Sequence, residues 1–183
     1  MSHSRPAPGS LEKIRAFVNS FEKEKGIDHV ATPADLGRWL ADHDLPTDDA
    51  PTDSQFREAV ELREALRLML VGNNDEPVQP RDIRILNRIA AHGDVSLTIH
   101  ATDGAALRAT ARGVDGALGQ LVAIVATAML EGTWDRFKAC RNDVCRWAFY
   151  DYTRNRSRKW CDMSICGSRI KSQAYRRRRR ATR

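Results

Sequence analysis

The sequence lacks the features that membrane proteins and common classes of enzyme require. Its longest apolar run, Leu121 to Leu130, is interrupted by Thr127 and is shorter than the roughly 18 residues of a transmembrane helix. None of the five histidines stands at a catalytic or zinc-binding spacing, and there is no glycine-rich phosphate loop. We therefore predict no enzymatic activity, with an active site assembled from distant residues as the alternative. No targeting segment is recognisable, which predicts a cytoplasmic location.

Cysteine is also scarce, and the four that are present form two C-x4-C pairs separated by fifteen residues. They are Cys140, Cys145, Cys161 and Cys166. Four thiolates at such spacings satisfy one tetrahedral Zn²⁺ ion and leave no coordination position open for catalysis. Two disulfides are the alternative, and they would suit a small secreted domain in an oxidising compartment. The spacing favours one structural zinc ion per chain.

Acidic residues are rare at the C-terminal end of the chain. Residues 133–183 hold 16 Lys and Arg against 4 Asp and Glu, whereas residues 1–132 hold 14 against 20. A dense basic block beside a structural zinc is typical of a nucleic-acid contact surface. The alternative is a solvated basic tail, to which the run Arg176 to Arg180 would belong.

Apolar periodicity predicts a mainly helical N-terminal domain, residues 10–132, with one β-hairpin. Residues 1–9 should be disordered or an arm. The predicted helices cover residues 11–25, 33–40, 54–71, 80–92 and 114–129, and the last of them should lie at the centre. Residues 95–100 alternate as a strand, with residues 106–111 as its partner. The polar side of that hairpin should face water.

Two polar residues lie on or beside apolar helical stripes and are candidates for a ligand pocket. Asn19 would contact the ligand, but a buried hydrogen bond within the fold is the alternative. Arg63 would hold an anionic ligand, but an arginine that pairs with a carboxylate and packs through its stem is the commoner case.

Residues 133–183 should form a small finger with its own core. Residues 147–152 alternate as a strand, residues 153–158 are a plausible turn, and residues 159–161 could return as a second strand. A helix should start at Ser168. The order of knuckle, hairpin and helix predicts a treble-clef-like four-cysteine zinc finger, so the whole chain has an α+β fold. We expect separable cores, so that Cys161→Ser would unfold the finger and leave the N-terminal helices intact.

The finger resembles the CGNR zinc finger of bacterial stress-induced transcription regulators. The resemblance is carried by the four cysteines with their neighbours in residues 145–151, 156–163 and 166–171. The motif that names the family reads Cys-Gly-Ser-Arg here, with Ser168 in place of asparagine; serine can still cap a helix start. Those proteins have an N-terminal ABATE domain, and residues 17–20, 34–36, 62–65 and 86–87 resemble its weaker landmarks.

The resemblance implies a DNA-binding transcription regulator whose N-terminal domain senses an effector or partner. Phosphate contacts would come from Arg154, Arg156, Arg158, Lys159, Arg169, Lys171 and Arg176. Base reading would come from the last helix through Arg169, Gln173 and Arg176, unless Arg169 turns inward to pair with Asp151 or Asp162. A homodimer is compatible with the sequence.

An RNA-binding or ribosome-associated module is the alternative function. Bases would then stack on Trp160, Tyr152 or Tyr175. Against this, Trp147, Phe149 and Trp160 are also the aromatic residues that a small finger would bury as its core.

Overall fold

A computed structural model describes residues 5–45, 47–102 and 104–172, and it has the predicted α+β fold. The helices are α1 (Leu11–Asn19), α2 (Pro33–Asp42), α3 (Asp53–Gly72), α4 (Pro80–His92) and α5 (Gly113–Leu130). The strands are β1 (Phe21–Glu22), β2 (Ile27–Asp28), β3 (Val95–His100), β4 (Gly104–Ala109), β5 (Phe137–Ala139) and β6 (Ala148–Tyr150). They pair in chain order as three two-stranded antiparallel sheets among the described residues.

Side-chain caps begin two of the helices where the sequence predicts. At α2 the Thr32 hydroxyl accepts from the Asp35 N–H, and Pro33 occupies the first turn, where its missing donor costs nothing. At α3 Thr52 and Gln55 form a reciprocal capping box, which satisfies two backbone donors that the helix leaves unpaired.

Helix α1 is shorter than the sequence predicts. It ends at Asn19, and residues 21–28 form the β1–β2 hairpin, in which Gly26 adopts a positive φ of 66°. The guanidinium of Arg67 donates hydrogen bonds to the carbonyl oxygens of Val18 and Phe21, at 2.6 and 3.2 Å. A helix through residue 25 would need those acceptors for its own ladder, so tertiary bonding overrides the helical periodicity here.

The N-terminal arm is packed on the protein from Arg5 onward. Ala7 is buried and its N–H donates to the Glu12 carboxylate, while Ser10, the residue before α1, makes no capping hydrogen bond with its side chain. The Tyr152 hydroxyl donates to the Pro6 carbonyl. Of the two expectations for this segment, an arm is therefore confirmed for residues 5–9 and disorder is wrong there, and residues 1–4 lie outside the described part of the chain.

Helix α5 is the central core helix, as predicted. It is the one helix among the described residues that is long and apolar enough to cross a membrane, but ten of its 18 residues are buried against the rest of the fold. Its close approach to the end of α4 depends on glycine, because a Cβ on Gly119 would lie 2.7 Å from the Cα atom of Gly93. This packing places α5 in the core of the fold.

The β5–β6 hairpin belongs to two apolar cores at once. On one face Phe137, Ala139, Ala148 and Tyr150 join the cluster formed by the N-terminal helices. On the other face Phe149 packs with the four cysteines, flanked by Trp147 and Trp160. The division between residues 132 and 133 that the sequence suggests is therefore crossed by continuous packing. Because both cores share this hairpin, we expect them to unfold together, in contrast to the expectation from the sequence.

The hairpin contains the strand predicted at residues 147–152, as β6, but pairs it with a partner other than residues 159–161. Strand β6 pairs with β5, in the register Phe137↔Tyr150 and Ala139↔Ala148, and residues 140–147 connect the two strands. Residues 159–161 form no strand; the Lys159 carbonyl instead accepts from the Arg141 N–H and from the Asn74 side chain. These two hydrogen bonds hold residues 159–161 in place, so this segment needs no strand pairing.

Candidate metal centre and basic surface

The four cysteines converge on one buried point. Their Sγ atoms all lie within 4.8 Å of one another, with 3.6 Å between Cys145 and Cys161 and 3.8 Å between Cys161 and Cys166. Tetrahedral Zn²⁺ with Zn–S bonds of about 2.3 Å requires sulfur atoms about 3.8 Å apart, and disulfide sulfurs would be bonded at about 2.0 Å. The thiols are unbridged, and their geometry is that of a zinc site.

Local backbone structure sets three of the four thiols in place. Cys140 directly follows β5, and a turn in which the N–H groups of Cys145 and Arg146 both donate to the Asn142 carbonyl brings Cys145 back beside it. Cys166 lies in a π-helical turn, Met163–Gly167, whose first N–H groups are capped by the Asp162 carboxylate. The chain continues as α-helix over residues 168–172, so the predicted start at Ser168 is preceded by a turn that Asp162 caps, and Ser168 is not the cap.

Without a cation, the cluster cannot hold four negative charges. Hydrogen bonds from Cys145 and Cys161 lower the pKa of Cys140 to about 2, and the bond to Cys140 raises the pKa of Cys145 to about 12. The pKa of Cys161 is also raised, by its hydrogen bond to Cys140, and burial raises the pKa of Cys166. A bound divalent ion removes this conflict, because all four sulfurs can then be thiolates.

Asn19 joins α1 to the finger. Its Nδ2 donates to the Ala148 carbonyl at 3.0 Å, and its Oδ1 accepts from the Ala148 N–H at 2.8 Å, so it pairs with the free edge of β6 as another strand would. The side chain is buried. These contacts favour the structural alternative for Asn19, since its amide group faces the protein's own backbone.

Arg63 has a structural environment of the same kind. Its guanidinium makes two 2.7 Å hydrogen bonds to the Asp28 carboxylate and a third to the Ser20 hydroxyl, and its side chain is almost fully buried. Asn19 and Arg63 therefore both use their polar atoms in hydrogen bonds within the fold.

Three further side chains tie α3 and its end to the finger, and sequence reasoning did not find them. The Asn73 amide donates to the carbonyls of Trp134 and Phe137, both at 2.8 Å. Asn74 donates to the Ala139 and Lys159 carbonyls, and Arg67 to the Arg146 carbonyl. Because the partners are all backbone carbonyls, no pattern of charge or spacing could have indicated them.

Asp151 organises the basic loop of residues 152–159. It is fully buried; one carboxylate oxygen accepts from the N–H and hydroxyl of Thr153, and the other accepts from the Arg158 N–H and the Lys138 ammonium. Lys138 also donates to the carbonyl of Arg156. The Asp-x-Thr spacing could have indicated the turn, but nothing in the sequence pairs Asp151 with Lys138.

We expect Asp151→Asn to lower the free energy of unfolding by about 3 kcal/mol, because it leaves the buried Lys138 ammonium without its counter-ion. Burial opposes ionisation of Asp151, but its hydrogen bonds outweigh this and lower its pKa. A lowered carboxyl pKa stabilises the fold above about pH 4 and ceases to do so as pH falls further. Denaturant titration should therefore show a difference in the free energy of unfolding between wild type and variant at pH 7, and this difference should become smaller below pH 4.

The control is Asp143→Asn, which removes an exposed carboxylate from the same part of the chain and should change the stability by no more than about 0.5 kcal/mol. Zinc content is measured at each pH, so that metal loss is separated from the titration of Asp151. If both substitutions lowered the free energy of unfolding equally at pH 7, Asp151 would not be the residue that organises the basic loop.

The predicted phosphate-binding side chains fall into three groups. Arg154 and Lys171 are exposed and form no ion pair with another described residue. Arg158 is held inward by the carbonyls of Trp160 and Cys161, with its guanidinium 5.0 Å from the centre of the Phe149 ring. The third group consists of exposed ion pairs, which are Arg156–Asp135, Lys159–Asp75 and Arg169–Glu24.

The sequence offered Asp151 or Asp162 as a possible inward partner for Arg169. In the structure Arg169 pairs with neither of them. Its partner Glu24 lies in the turn between β1 and β2, far away in the sequence. Gln173 and Arg176 lie outside the described residues.

A cavity of about 540 Å³ lies beside the zinc site. The side chains of Trp147, Ile165 and Arg169 line it from the finger, and residues 22–25 line it from the β1–β2 turn. The indole N–H of Trp147 is buried and has no hydrogen-bond partner among the described residues. The cavity thus lies between the N-terminal part and the start of the last helix.

The fold and the site define a zinc-finger protein with a helical N-terminal domain. Residues 15–133 match the ABATE family, whose description reads "Putative stress-induced transcription regulator", and residues 136–179 match the CGNR zinc finger. The chain therefore belongs to the ABATE family and has a C-terminal CGNR zinc finger, as the motifs predict. These are regulator and zinc-finger families and not families of enzymes. No curated protein matches the chain.

Proposed function

We propose that this protein is a cytoplasmic DNA-binding transcription regulator whose zinc ion holds a basic surface in shape. The observation that carries the proposal is the position of Cys161 and Cys166, which lie between the basic loop at residues 154–159 and the basic helix start at residues 169–171. One metal ion then fixes both segments relative to each other. Fixed positive charges at the contact surface are what phosphate binding requires.

The ion pairs of the basic surface leave its charges accessible. Asp135, Asp75 and Glu24 are all exposed to solvent, and exposed pairs contribute only about 0–1 kcal/mol. A DNA phosphate can therefore replace the carboxylate on each arginine or lysine. Arg158 differs, because its guanidinium is occupied by backbone carbonyls and supports the loop. Base edges would be contacted by Arg169, together with Gln173 and Arg176 further along the chain.

The most direct test removes the two cations that have no described partner. The double variant Arg154→Ala/Lys171→Ala should bind duplex DNA more weakly, and its plot of log affinity against log salt should be shallower by up to about 1.8, because each lost phosphate contact removes about 0.9 from the slope. Fluorescence anisotropy over a salt series measures both quantities.

The matched control is Arg81→Ala/Arg84→Ala, which removes the same charge from exposed positions on α4. It should leave the slope unchanged. An equal loss of slope in both double variants would mean that net charge alone drives binding, and an unchanged slope in the first would remove Arg154 and Lys171 from the contact surface.

The RNA-binding alternative has less support from the geometry. The Tyr152 ring lies beneath the Arg5 guanidinium, and its hydroxyl is bonded to Pro6. Trp160 packs on the cysteine cluster. Tyr175 lies outside the described residues. The two described aromatic residues that would stack on bases are thus already engaged within the fold.

The sensing role of the N-terminal domain would use the cavity beside the zinc site. A small effector bound there would touch residues 22–25 and Arg169 together, and could break the Glu24–Arg169 pair. That would free Arg169 for DNA. The domain's effect on binding would then be electrostatic and local, without a rearrangement of the core.

A further inference from the structure

The outer edge of β3 is apolar, open and exposed. Leu97 is 62% and Ile99 78% exposed, although the alternation of the strand predicts that they face the core. Strand β4 is the only strand that pairs with β3 among the described residues. The polar side of the hairpin meets water at Ser96, as expected, and the apolar side meets water as well at Leu97 and Ile99.

The backbone of the same residues points toward the open edge. The Ala109 N–H donates to the side chain of Gln120 on α5 and so turns away from β3. Ala109 lies opposite Val95, which makes this a pair without mutual hydrogen bonds. Because such pairs alternate along an antiparallel ladder, Val95, Leu97 and Ile99 direct their N–H and C=O groups outward.

Nothing in β3 protects this edge from pairing. Sheet edges in soluble proteins usually have a charged residue, a proline or a bulge, and residues 95–99 have none of these. The apolar surface continues over Leu107 and Ile124 into a cavity of about 440 Å³ between β4, α5 and residues 8–11. Edge and surface together form a patch that a partner could cover.

We propose that β3 pairs antiparallel with β3 of a second copy of this chain, about a two-fold axis at Leu97. This register places Leu97 opposite Leu97 and Val95 opposite Ile99, and it joins the two hairpins into one four-stranded sheet. The residues whose backbone groups point outward are then the ones that pair. The apolar side chains meet on one face of the sheet, where cross-strand pairs stabilise it.

A second copy fits this edge because antiparallel pairing of identical strands is self-complementary. Any charge close to the two-fold axis would face a like charge, and residues 95–99 have none. A partner of different sequence would not require the strand to be uncharged. Pairing through β3 does not require that the protein binds DNA.

Sedimentation of the zinc-loaded full chain tests the interface. Wild type should be a dimer, and Leu97→Lys should be a monomer with an unchanged far-UV spectrum, because the side chain is exposed in the single chain and a lysine pair would face itself across the axis. The control Leu68→Lys makes the same change at an exposed position on α3 and should stay dimeric. A monomeric wild type, or a Leu97→Lys variant that remains a dimer, would overturn the proposal.

Cross-linking tests the register. Leu97→Cys should form a disulfide between two copies under mild oxidation with zinc kept in place, since facing Cα atoms in such a pair lie about 5.5 Å apart, within the range for disulfides. Ser96→Cys should not, because its counterpart lies diagonally, more than about 7 Å away, beyond disulfide reach. Peptide mapping identifies the bond. Linkage through position 96 and not 97 would contradict the register.

Discussion

Replacing Cys161 by serine should destabilise the N-terminal helices together with the finger. The reason is the shared β5–β6 hairpin, which closes the helical core with Phe137 and Tyr150 and covers the cysteine cluster with Phe149. Zinc contributes about 10–16 kcal/mol to the folding of small fingers. Even a loss of about 5 kcal/mol would lower the Tm of a chain of this size by roughly 10–20 °C.

Far-UV circular dichroism during heating, with zinc content measured on the same samples, tests this prediction. One transition at a lower temperature is expected for Cys161→Ser. Val144→Ser is the matched control, because Val144 is an exposed residue of the first knuckle that binds no metal; it should keep its zinc and its Tm. A variant whose helices melt at the wild-type temperature would show that the cores are separable after all.

Asn19→Ala should lower the free energy of unfolding by about 2–5 kcal/mol. The substitution removes two hydrogen bonds and leaves the N–H and C=O of Ala148 buried without partners, each at a cost of about 1–3 kcal/mol. The loss falls where α1 meets the finger, so it also weakens the connection between the two parts. Urea unfolding followed by circular dichroism measures the change.

Two companion variants separate this role from the simple loss of a side chain. Asn87→Ala removes an exposed asparagine from α4 and should change the stability by less than about 0.5 kcal/mol. Asn19→Asp keeps the acceptor for the Ala148 N–H but has no donor for its carbonyl, so it should also be destabilised. If Asn19→Ala were as stable as Asn87→Ala, the bonds to Ala148 would not hold α1 to the finger.

The sequence predicts the features whose causes lie close together along the chain. Two C-x4-C pairs are enough to predict the zinc site, because short loops bring each pair of sulfurs together. Thr32 and Thr52 cap helices within three residues of themselves, so the starts of α2 and α3 could be predicted. The apolar helix α5 was predicted at the centre for the same kind of local reason.

Features that depend on contacts between distant residues could not be predicted. The end of α1 is set by Arg67, which lies some fifty residues further along the chain, and the periodicity of residues 11–25 contains no trace of it. The partner of Arg169 is Glu24 because the β1–β2 turn lies beside the last helix. Asn19 was noticed as a polar residue beside an apolar stripe. Its hydrogen bonds to Ala148 arise because α1 packs against β6 of the finger, which the sequence does not indicate.

Strand β3 shows a further limit of pattern reasoning. Its alternation correctly predicts a strand and the face on which Val95, Leu97 and Ile99 lie. It does not say what covers that face, and in the single chain Leu97 and Ile99 remain exposed. Periodicity therefore predicts that a surface is to be buried and leaves open whether the same chain or a second copy buries it.

Competition between nucleic acids tests the proposed function most directly. Zinc-loaded protein is bound to labelled duplex DNA and titrated with unlabelled duplex DNA or with single-stranded RNA of equal length, over a salt series. Duplex DNA should be the stronger competitor and its affinity should fall steeply with salt, because the surface around the zinc site is proposed to bind phosphates. RNA as the stronger competitor, or salt-insensitive binding of DNA, would contradict the proposed function.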